Sequence, residues 1–187
     1  FQFYSDSDIY PKNFNIKHCM CFSCYGLFMN PRFSKIGFSI LFNEASHSYG
    51  ARIENLESQV EWLKAEGLLD NINSILDIGC FEGDFLALLP PIHKKYGIDI
   101  DLNATQRGNT KHKDKKIELM KGDFENFDIK DPSLDVITMF HVLEHLPNPS
   151  LVLKNLAKIS SNRTSLIIEV PILEKAKIND INGFFSI

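Results

Sequence analysis

Ile75-Leu-Asp-Ile-Gly-Cys-Phe-Glu-Gly-Asp-Phe-Leu86 is the stretch of sequence that decides the fold. The mostly apolar run 74–78, which starts one residue before this stretch, predicts a buried strand that ends at Ile78. Gly79 and Gly83 then enclose a turn, because glycine tolerates sharp backbone bends and lets a ligand approach closely. A helix is predicted next, and it ends before the two prolines at positions 90 and 91. A strand, a glycine turn and a helix therefore follow each other directly.

The alternation of strands and helices continues on both sides of this stretch. Apolar residues at three- and four-residue steps predict a helix over 44–66, with Gly67 at its end. Further strands are predicted over 95–100, 117–120, 134–140 and 165–170, and further helices over 84–89, 102–109 and 149–160. Alternating strands and helices favour an α/β fold, with a mostly parallel twisted sheet and helices on both faces.

Composition narrows the class of protein. The chain of 187 residues is 44% hydrophobic and has a formal net charge of -4. No run of about 18 apolar residues predicts a membrane span, and the acidic balance argues against a nucleic-acid partner. Four cysteines, three of them within six positions, favour a reduced, cytoplasmic protein. The oligomeric state is not encoded in these patterns.

Five segments in order resemble the motifs of class I S-adenosylmethionine-dependent methyltransferases. The decisive stretch is similar to the family's first motif, and the other four segments are 96–101, 121–125, 134–149 and 165–171. The resemblance covers roughly residues 50–171 and implies a Rossmann-like methyltransferase fold with S-adenosylmethionine as cofactor. Because the family's sheet continues beyond the fifth strand, the resemblance also predicts a sheet truncated after that strand.

One position departs from the family's commonest pattern, and the departure bears on the substrate. Phe81 stands where most members have glycine, although sugar methyltransferases are among the branches that lack it. The N-terminal cysteines and the Glu169-Val170-Pro171 ending also resemble methyltransferases of nucleotide-linked sugars, polysaccharides or secondary metabolites. The resemblance therefore favours O- or C-methylation of a small-molecule acceptor, with RNA or protein methylation as the alternative.

The resemblance also implies which residues bind the cofactor. The backbone at Gly79 and Cys80 would face the methionine part, and Asp77 would hold its amino group. Asp99 would accept both ribose hydroxyls, since one carboxylate has two oxygens. The predicted cofactor set is Asp77, Gly79, Cys80, Phe81, Gly83, Asp99, Ile100, Asp123, Phe124, Phe140 and His141.

The second half of that set concerns adenine and the methyl group. Ile100 would pack on the adenine face, Asp123 would accept its amino group, and the Phe124 amide would face the ring edge. Phe140 and His141 would lie near the methyl-bearing end. A purely structural use for Asp123 is to start a turn.

The segment His141-Val-Leu-Glu-His145 contains the candidate catalytic residues His141, Glu144 and His145. In a helical turn, residues three or four apart share a face, and histidine exchanges protons near neutral pH. His145 is the preferred base for an acceptor that carries a proton. Two other interpretations stay open, a divalent-metal site and an ordinary family feature that shapes the cofactor pocket.

The first 42 residues differ from the rest. They contain Cys19, Cys21 and Cys24, and the last two form a Cys-x-x-Cys pair of the kind that binds structural zinc. The segment resembles half of a small zinc ribbon, so zinc held by these three cysteines is a hypothesis beside a ribbon that has lost its metal. We predict a cysteine-containing segment over 1–42 and a methyltransferase domain over 43–187.

Two rival functions share the predicted fold. A nicotinamide-dependent dehydrogenase expects Gly-x-Gly-x-x-Gly after the first strand, whereas here only Gly79 and Gly83 bound the turn. A non-catalytic relative would keep the fold without the chemistry. Intact Asp99 and Asp123 argue against it.

Overall fold

The computed structural model describes residues 18–23, 27–29, 53–124 and 134–171. The chain divides into two units, Phe1–Tyr49 and Gly50–Ile187. The predicted boundary at 42/43 and the first part of the helix predicted over 44–66 lie outside the described residues, so both stay predictions. The continuation of the sheet after position 171 also lies outside them.

The described part of the first unit is a short antiparallel hairpin. Strand β1 (His18–Met20) pairs with strand β2 (Leu27–Met29), and Cys19 lies opposite Phe28. Cys21 follows β1 in the connection between the strands. Cys24 lies outside the described residues.

The second unit alternates helices and strands as predicted. Its elements are α1 (Ile53–Ala65), β3 (Ser74–Ile78), α2 (Asp84–Leu88), β4 (Lys94–Asp99), α3 (Leu102–Lys111), β5 (Ile117–Lys121), β6 (Val136–Phe140), a 3₁₀ helix (Leu143–His145), α4 (Pro149–Ile159) and β7 (Ser165–Glu169). The strands β3 to β7 and the helices α2 to α4 lie within two residues of the predicted bounds, which is the usual uncertainty of element ends. Helix α1 ends one residue before the predicted end, and the start predicted for it lies outside the described residues.

The five strands that the structure describes in this unit form one parallel sheet in the order β5-β4-β3-β6-β7. The predicted parallel α/β architecture is confirmed. Chain order reverses at β3, the central strand, where Asp77 lies opposite Thr138 of β6. Because all five strands run the same way, their carboxyl ends meet at one edge, and ligands of such sheets bind where strand order reverses.

Helices cover the two faces of the sheet with separate apolar clusters. The cluster on one face joins α1 and α2 to the sheet, and its fully or nearly buried members include Val60, Leu63, Ile75, Phe85, Leu86, Leu119 and Val136. The opposite cluster joins α4 to the other face, with Leu76, Ile78, Ile98, Ile137, Met139, Val152 and Leu156. Successive strand residues alternate between the clusters, as the two-residue period of a strand requires.

Polar side chains fix the ends of the helices. Asp101 caps α3 by accepting hydrogen bonds from the backbone N–H groups of Asn103 and Ala104, a typical helix N-cap. At the C-terminal end of α2, the buried Lys95 ammonium donates to the carbonyl oxygens of Leu86 and Leu89, at 3.2 and 3.1 Å. Burial lowers the pKa of Lys95. The sequence did not single out either residue, and both hold the helices that flank the carboxyl edge.

Candidate cofactor and acceptor site

The turn after β3 has a backbone that few side chains tolerate. Gly79, Phe81 and Gly83 have positive φ angles of 76°, 49° and 74°. The Gly79 N–H donates to the Ile98 carbonyl at 2.7 Å, so the turn is bound to the neighbouring strand. A Cβ at position 79 would collide with the Val142 side chain. Glycine at 79 is therefore required by both the angle and the close approach.

The Asp99 carboxylate organises this turn from the end of β4. One oxygen accepts the Phe81 N–H at 2.8 Å and the other accepts the Asp101 N–H at 2.9 Å. Burial raises the pKa of Asp99, backbone hydrogen bonds from Asp101, Phe81 and Ile100 oppose the rise, and the Asp101 charge adds to it. A carboxylate has about four lone-pair sites, so at least one remains for a further donor. The arrangement fits a hydroxyl donor such as those of a ribose.

Asp77 lies beside Asp99 at the point where strand order reverses. Its side chain is buried and accepts a hydrogen bond from the Thr138 hydroxyl at 2.7 Å. Burial raises the pKa of Asp77 to about 7, the Thr138 hydrogen bond opposes this, and the nearby Asp99 charge adds to it. A carboxylate with this pKa is readily ionised by a cationic ligand, because an opposite charge favours its charged form.

Cys80 is held as a packing group within the same turn. Its side chain is buried in the cluster below the turn, and burial raises the pKa of the thiol, with the charges of Asp77 and Asp99 adding to the rise. A thiol in this state is not a nucleophile, since the reactive form is the thiolate.

The predicted adenine-binding residues lie at the ends of β4 and β5. The Gly122 N–H donates to the Asp99 carbonyl at 2.9 Å, which joins the two strand ends. Ile100 is half-buried, Asp123 is exposed, and Phe124 packs against the apolar cluster on the α4 face. The structure thus brings the predicted adenine-binding residues to the same edge of the sheet as Asp77, Gly79 and Asp99.

Charged side chains brace the outside of the turn. Arg107 of α3 contacts Glu82 at 2.7 Å, and its guanidinium lies 5.8 Å from the centre of the Phe81 ring, within reach of a cation–π interaction. Asp84 contacts Lys111 at 2.8 Å and His112 at 2.7 Å. Burial alone would raise the pKa of Asp84, but hydrogen bonds from Lys111 and His112 outweigh it and lower the pKa.

The residues after β6 form the other half of the edge. His141 has a φ of 55°, and its backbone N–H donates to the Glu169 carbonyl at 2.9 Å. Its ring contacts two carboxylates, with Nε2 2.7 Å from Glu169 and Nδ1 3.7 Å from Glu144. Before it, Phe140 packs edge-on against Phe85, with ring centres 5.1 Å apart.

The predicted helical turn over 141–145 is only partly formed. The 3₁₀ helix begins at Leu143, because the left-handed backbone of His141 precedes it. Burial lowers the pKa of His145, the Glu144 charge opposes this, and the His141 charge adds to it. Its Nε2 lies 3.9 Å from the Glu144 carboxylate. The structure therefore gathers His141, Glu144 and His145 at the end of β6, with different surroundings for the two imidazoles.

The metal hypotheses find no cluster in the described part of the chain. Among residues 18–23, 27–29, 53–124 and 134–171, no group of three or more histidine, cysteine or acidic side chains is arranged to hold a metal ion. The divalent-metal interpretation of 141–145 is not supported by that arrangement. Cys19 and Cys21 are among the residues that the structure describes, while Cys24 lies outside them, so the zinc hypothesis stays a prediction.

Membrane insertion gains no support from the helices. None of those in the described ranges is long and apolar enough to cross a bilayer.

Four contributors to the edge were not predicted. Three of them contact predicted site residues: Thr138 bonds Asp77, Arg107 lies over the Phe81 ring, and Glu169 contacts His141. The fourth, Gln59, reaches His141 through Glu169. Two of them carried a signal in the sequence. Glu169 is an acidic residue at the end of a predicted strand, as Asp99 is, and Gln59 falls on the apolar side of the first helix, between Leu56 and Leu63.

Comparison with known proteins agrees with this geometry. A family model described as "Methyltransferase domain" matches residues 47–180. A protein of Mycobacterium tuberculosis named a "Probable S-adenosylmethionine-dependent methyltransferase" is 24% identical over 97 residues, which are 52% of this chain and 35% of that protein. The chain thus spans about a third of the length of this curated relative.

Solved structures share the fold. The plantazolicin methyltransferase BpumL, solved with a desmethylPZN analogue and SAH, is 24% identical with a TM-score of 0.54 over 71% of this chain and 52% of its own. A chain from the complex between the Haloferax volcanii Trm112 methyltransferase activator and a methyltransferase is 20% identical with a TM-score of 0.51, over 67% of this chain and 56% of its own.

Proposed function

The chain belongs to the methyltransferase domain family, and we propose that it binds S-adenosylmethionine and transfers the methyl group to a small-molecule acceptor. The observation that carries the proposal is the Asp99 carboxylate. It holds the turn after β3 through the Phe81 N–H, accepts the Asp101 N–H on its other oxygen, and has acceptor capacity left for a ligand. A ribose hydroxyl matches this acceptor.

The neighbouring residues supply complementary groups for the rest of the cofactor. Asp77 has a pKa near 7 and lies beside the glycine turn, so a bound ammonium would draw it into the charged form. Ile100 and Phe124 offer apolar contacts for a flat ring, and Asp123 an acceptor for an amino group. Phe140 ends β6, directly before His141.

The bound cofactor supplies an electrophilic methyl carbon on a sulfonium, whose leaving group is a neutral thioether. The protein then has to hold the acceptor in line and remove its proton where it carries one. We propose His141 as the base. Its ring lies at the end of β6, is 51% exposed and is fixed by Glu169 at 2.7 Å. The sequence favoured His145, whose side chain is 29% exposed and less accessible to an acceptor.

A small acceptor is supported by composition and by one structural neighbour. The chain is acidic, with a net charge of -4, which disfavours binding to a polyanion. The neighbour BpumL was solved with a desmethylPZN analogue and SAH. RNA or protein methylation, the alternative that the sequence left open, is the second candidate.

Calorimetric titration of the purified chain with S-adenosylmethionine, S-adenosylhomocysteine and NAD tests the cofactor. We expect micromolar binding of the first two ligands and none of NAD. Asp99→Ala should weaken binding of S-adenosylhomocysteine by about 100-fold or more, because each hydrogen bond to a charged group contributes roughly 1.5–3 kcal/mol.

The matched control is Asp114→Ala, an exposed aspartate in the turn after α3, which should bind like the wild type. Thermal unfolding of each variant confirms that it is folded. Binding of NAD alone would overturn the proposal, and so would equal affinities in Asp99→Ala and Asp114→Ala.

A further inference from the structure

A chain of three side chains connects helix α1 to the residues after β6. The Gln59 amide nitrogen donates to one Glu169 oxygen at 3.2 Å. The other Glu169 oxygen lies 2.7 Å from His141 Nε2. Gln59 is 110 positions from Glu169 in sequence, so only the folded sheet brings the three together.

We propose that Glu169 and Gln59 are positioning residues that fix the ring of His141 and choose which of its nitrogens is the base. The proposal rests on the function proposed above. A carboxylate only accepts hydrogen bonds when ionised, so Glu169 holds the proton on Nε2 of the neutral ring. Nδ1 then carries the lone pair and is the nitrogen that would take the proton of the acceptor. The nitrogen that carries the proton in a histidine is set by the partner of that nitrogen.

Glu169 holds His141 at two points. Its carbonyl accepts the His141 N–H at 2.9 Å, while its carboxylate contacts the ring at 2.7 Å. The backbone of His141 is left-handed, with a φ of 55°, which is unfavourable for a residue with a side chain. Such angles persist where the surroundings over-determine them, often at functional sites. The two contacts from Glu169 provide that constraint.

Gln59 has a feature that packing alone does not explain. The residue is buried on the α1 face that packs on the sheet, yet its amide oxygen has no hydrogen-bond partner among the described residues. An unpartnered buried oxygen is destabilising, and an apolar residue would fit the face formed with Val60 and Leu63. The contribution that remains is the nitrogen that Gln59 offers to Glu169.

Glu144 presents the opposite choice. Its carboxylate lies 3.7 Å from Nδ1, beyond hydrogen-bond distance, whereas Glu169 lies 2.7 Å from Nε2. If Glu144 closed onto the ring, the proton would sit on Nδ1 and the base would be Nε2. The distances favour the hydrogen bond to Glu169. The two cases differ in which ring nitrogen carries the proton, and this can be measured.

Nitrogen NMR of the full chain labelled at histidine distinguishes them. Spectra are recorded at a pH where the ring of His141 is neutral, and the His141→Gln spectrum identifies its signals. The wild type should show a protonated Nε2 and an unprotonated Nδ1. Glu169→Leu should move both signals towards the average of the two tautomers, and Glu169→Gln should restore them, since its oxygen still accepts.

Gln59→Leu should move the His141 signals in the same direction as Glu169→Leu, by a smaller amount, while its melting temperature equals or exceeds that of the wild type. The matched control is Glu57→Leu, an exposed residue of the same helix, which should leave the His141 signals unchanged. Identical ring signals in the wild type, Glu169→Leu and Gln59→Leu would overturn the proposal. A proton on Nδ1 in the wild type would overturn it as well.

Titration of the same variants with S-adenosylhomocysteine separates this inference from the proposed function. Gln59→Leu should bind it like the wild type, because Gln59 reaches the predicted cofactor set only through Glu169. Failure of the wild type to bind would refute the proposed function alone, since the ring signals are measured without ligand. A loss of binding in Gln59→Leu would show that it supports the cofactor site, which contradicts a role confined to the ring of His141.

Discussion

The two halves of the carboxyl edge are built differently. On the β3–β4 side, Asp77 and Asp99 are only 4% and 9% exposed. Asp77 accepts from a buried hydroxyl and Asp99 from the backbone of the turn. On the β6–β7 side, the side chains of His141 and Glu169 are 51% and 43% exposed and contact each other. The first half is thus set by the fold itself, while the second depends on exposed side chains that substitutions can change without altering the fold.

The largest expected effect comes from Gly79→Ala, which tests how far the fold sets the first half. The alanine would need a φ near 76° and its Cβ would collide with Val142. A left-handed residue is unfavourable by roughly 1–2 kcal/mol, and overpacking adds about 1–3 kcal/mol. We expect the free energy of unfolding to fall by about 2–5 kcal/mol in chemical denaturation.

Gly67→Ala is the matched control for the backbone angle. Gly67 also has a positive φ, of 68°, but the nearest atom to an added Cβ is an Asp70 oxygen at 3.5 Å. This variant should lose only the roughly 1–2 kcal/mol of backbone strain. Equal losses in the two variants would mean that the close approach to Val142 contributes nothing.

Asp77→Asn tests the buried charge in the first half. The pKa of Asp77 is raised from 3.8 to about 7, so the folded state keeps a proton that the unfolded state releases. The stability contributed by this group is fully present below about pH 4 and is lost as the pH rises through 7. Asparagine keeps an oxygen for Thr138 and has no charge. A pKa raised from 3.8 to about 7 corresponds to about 4 kcal/mol, so we expect asparagine to raise the free energy of unfolding by up to that amount at pH 8 and by little at pH 4.

The measurement is thermal or denaturant unfolding of the wild type and Asp77→Asn between pH 4 and 8. Asp114→Asn, at an exposed position, should run parallel to the wild type. The same Asp77→Asn variant should bind S-adenosylhomocysteine more weakly, because it lacks a charge for the ammonium. A constant difference in stability across this pH range would contradict the buried-carboxyl account.

The smallest effect is expected for Phe81→Gly, which restores the commonest family residue. Glycine would relieve the strain at a φ of 49° but would lose the ring contact with Arg107 and add freedom to the unfolded chain. These opposing effects should leave the free energy of unfolding within about 1 kcal/mol of the wild type. The melting temperature measures the balance. A loss above that bound would show that the ring of Phe81 is a structural part of the turn.

The sequence predicted most of the sheet and the position of Asp77, Gly79 and Asp99 at its carboxyl edge. Strands such as 74–78 are mostly apolar without a polar face because they are buried on both faces, and the glycine turn follows at once. Asp99 ends its strand and Asp77 precedes the turn, so position in the chain already gives position at the edge. The parallel pairing followed from the alternation of elements, whereas the strand order β5-β4-β3-β6-β7 was not predicted.

The β6–β7 side of the carboxyl edge was predicted less completely, because its contacts join residues that are distant in sequence. His141 was expected in a helical turn, but its left-handed backbone places it before the 3₁₀ helix. Glu169 and Gln59 meet it only after the sheet has formed. The bracing of Phe81 by Arg107 is equally non-local. Local patterns carry no information about such side-chain pairs until the topology is known.

A cofactor site at the carboxyl edge is tested most directly by a map of backbone amide shifts on addition of S-adenosylhomocysteine to the nitrogen-labelled chain. We expect the largest changes at Gly79, Cys80, Gly83 and Ile100. We expect little change at the opposite edge of the sheet, where the Asn73 amide donates to the Asp135 carboxylate at 2.7 Å. Changes centred on Asn73 and Asp135, or no changes in a folded sample, would contradict a cofactor site at the carboxyl edge.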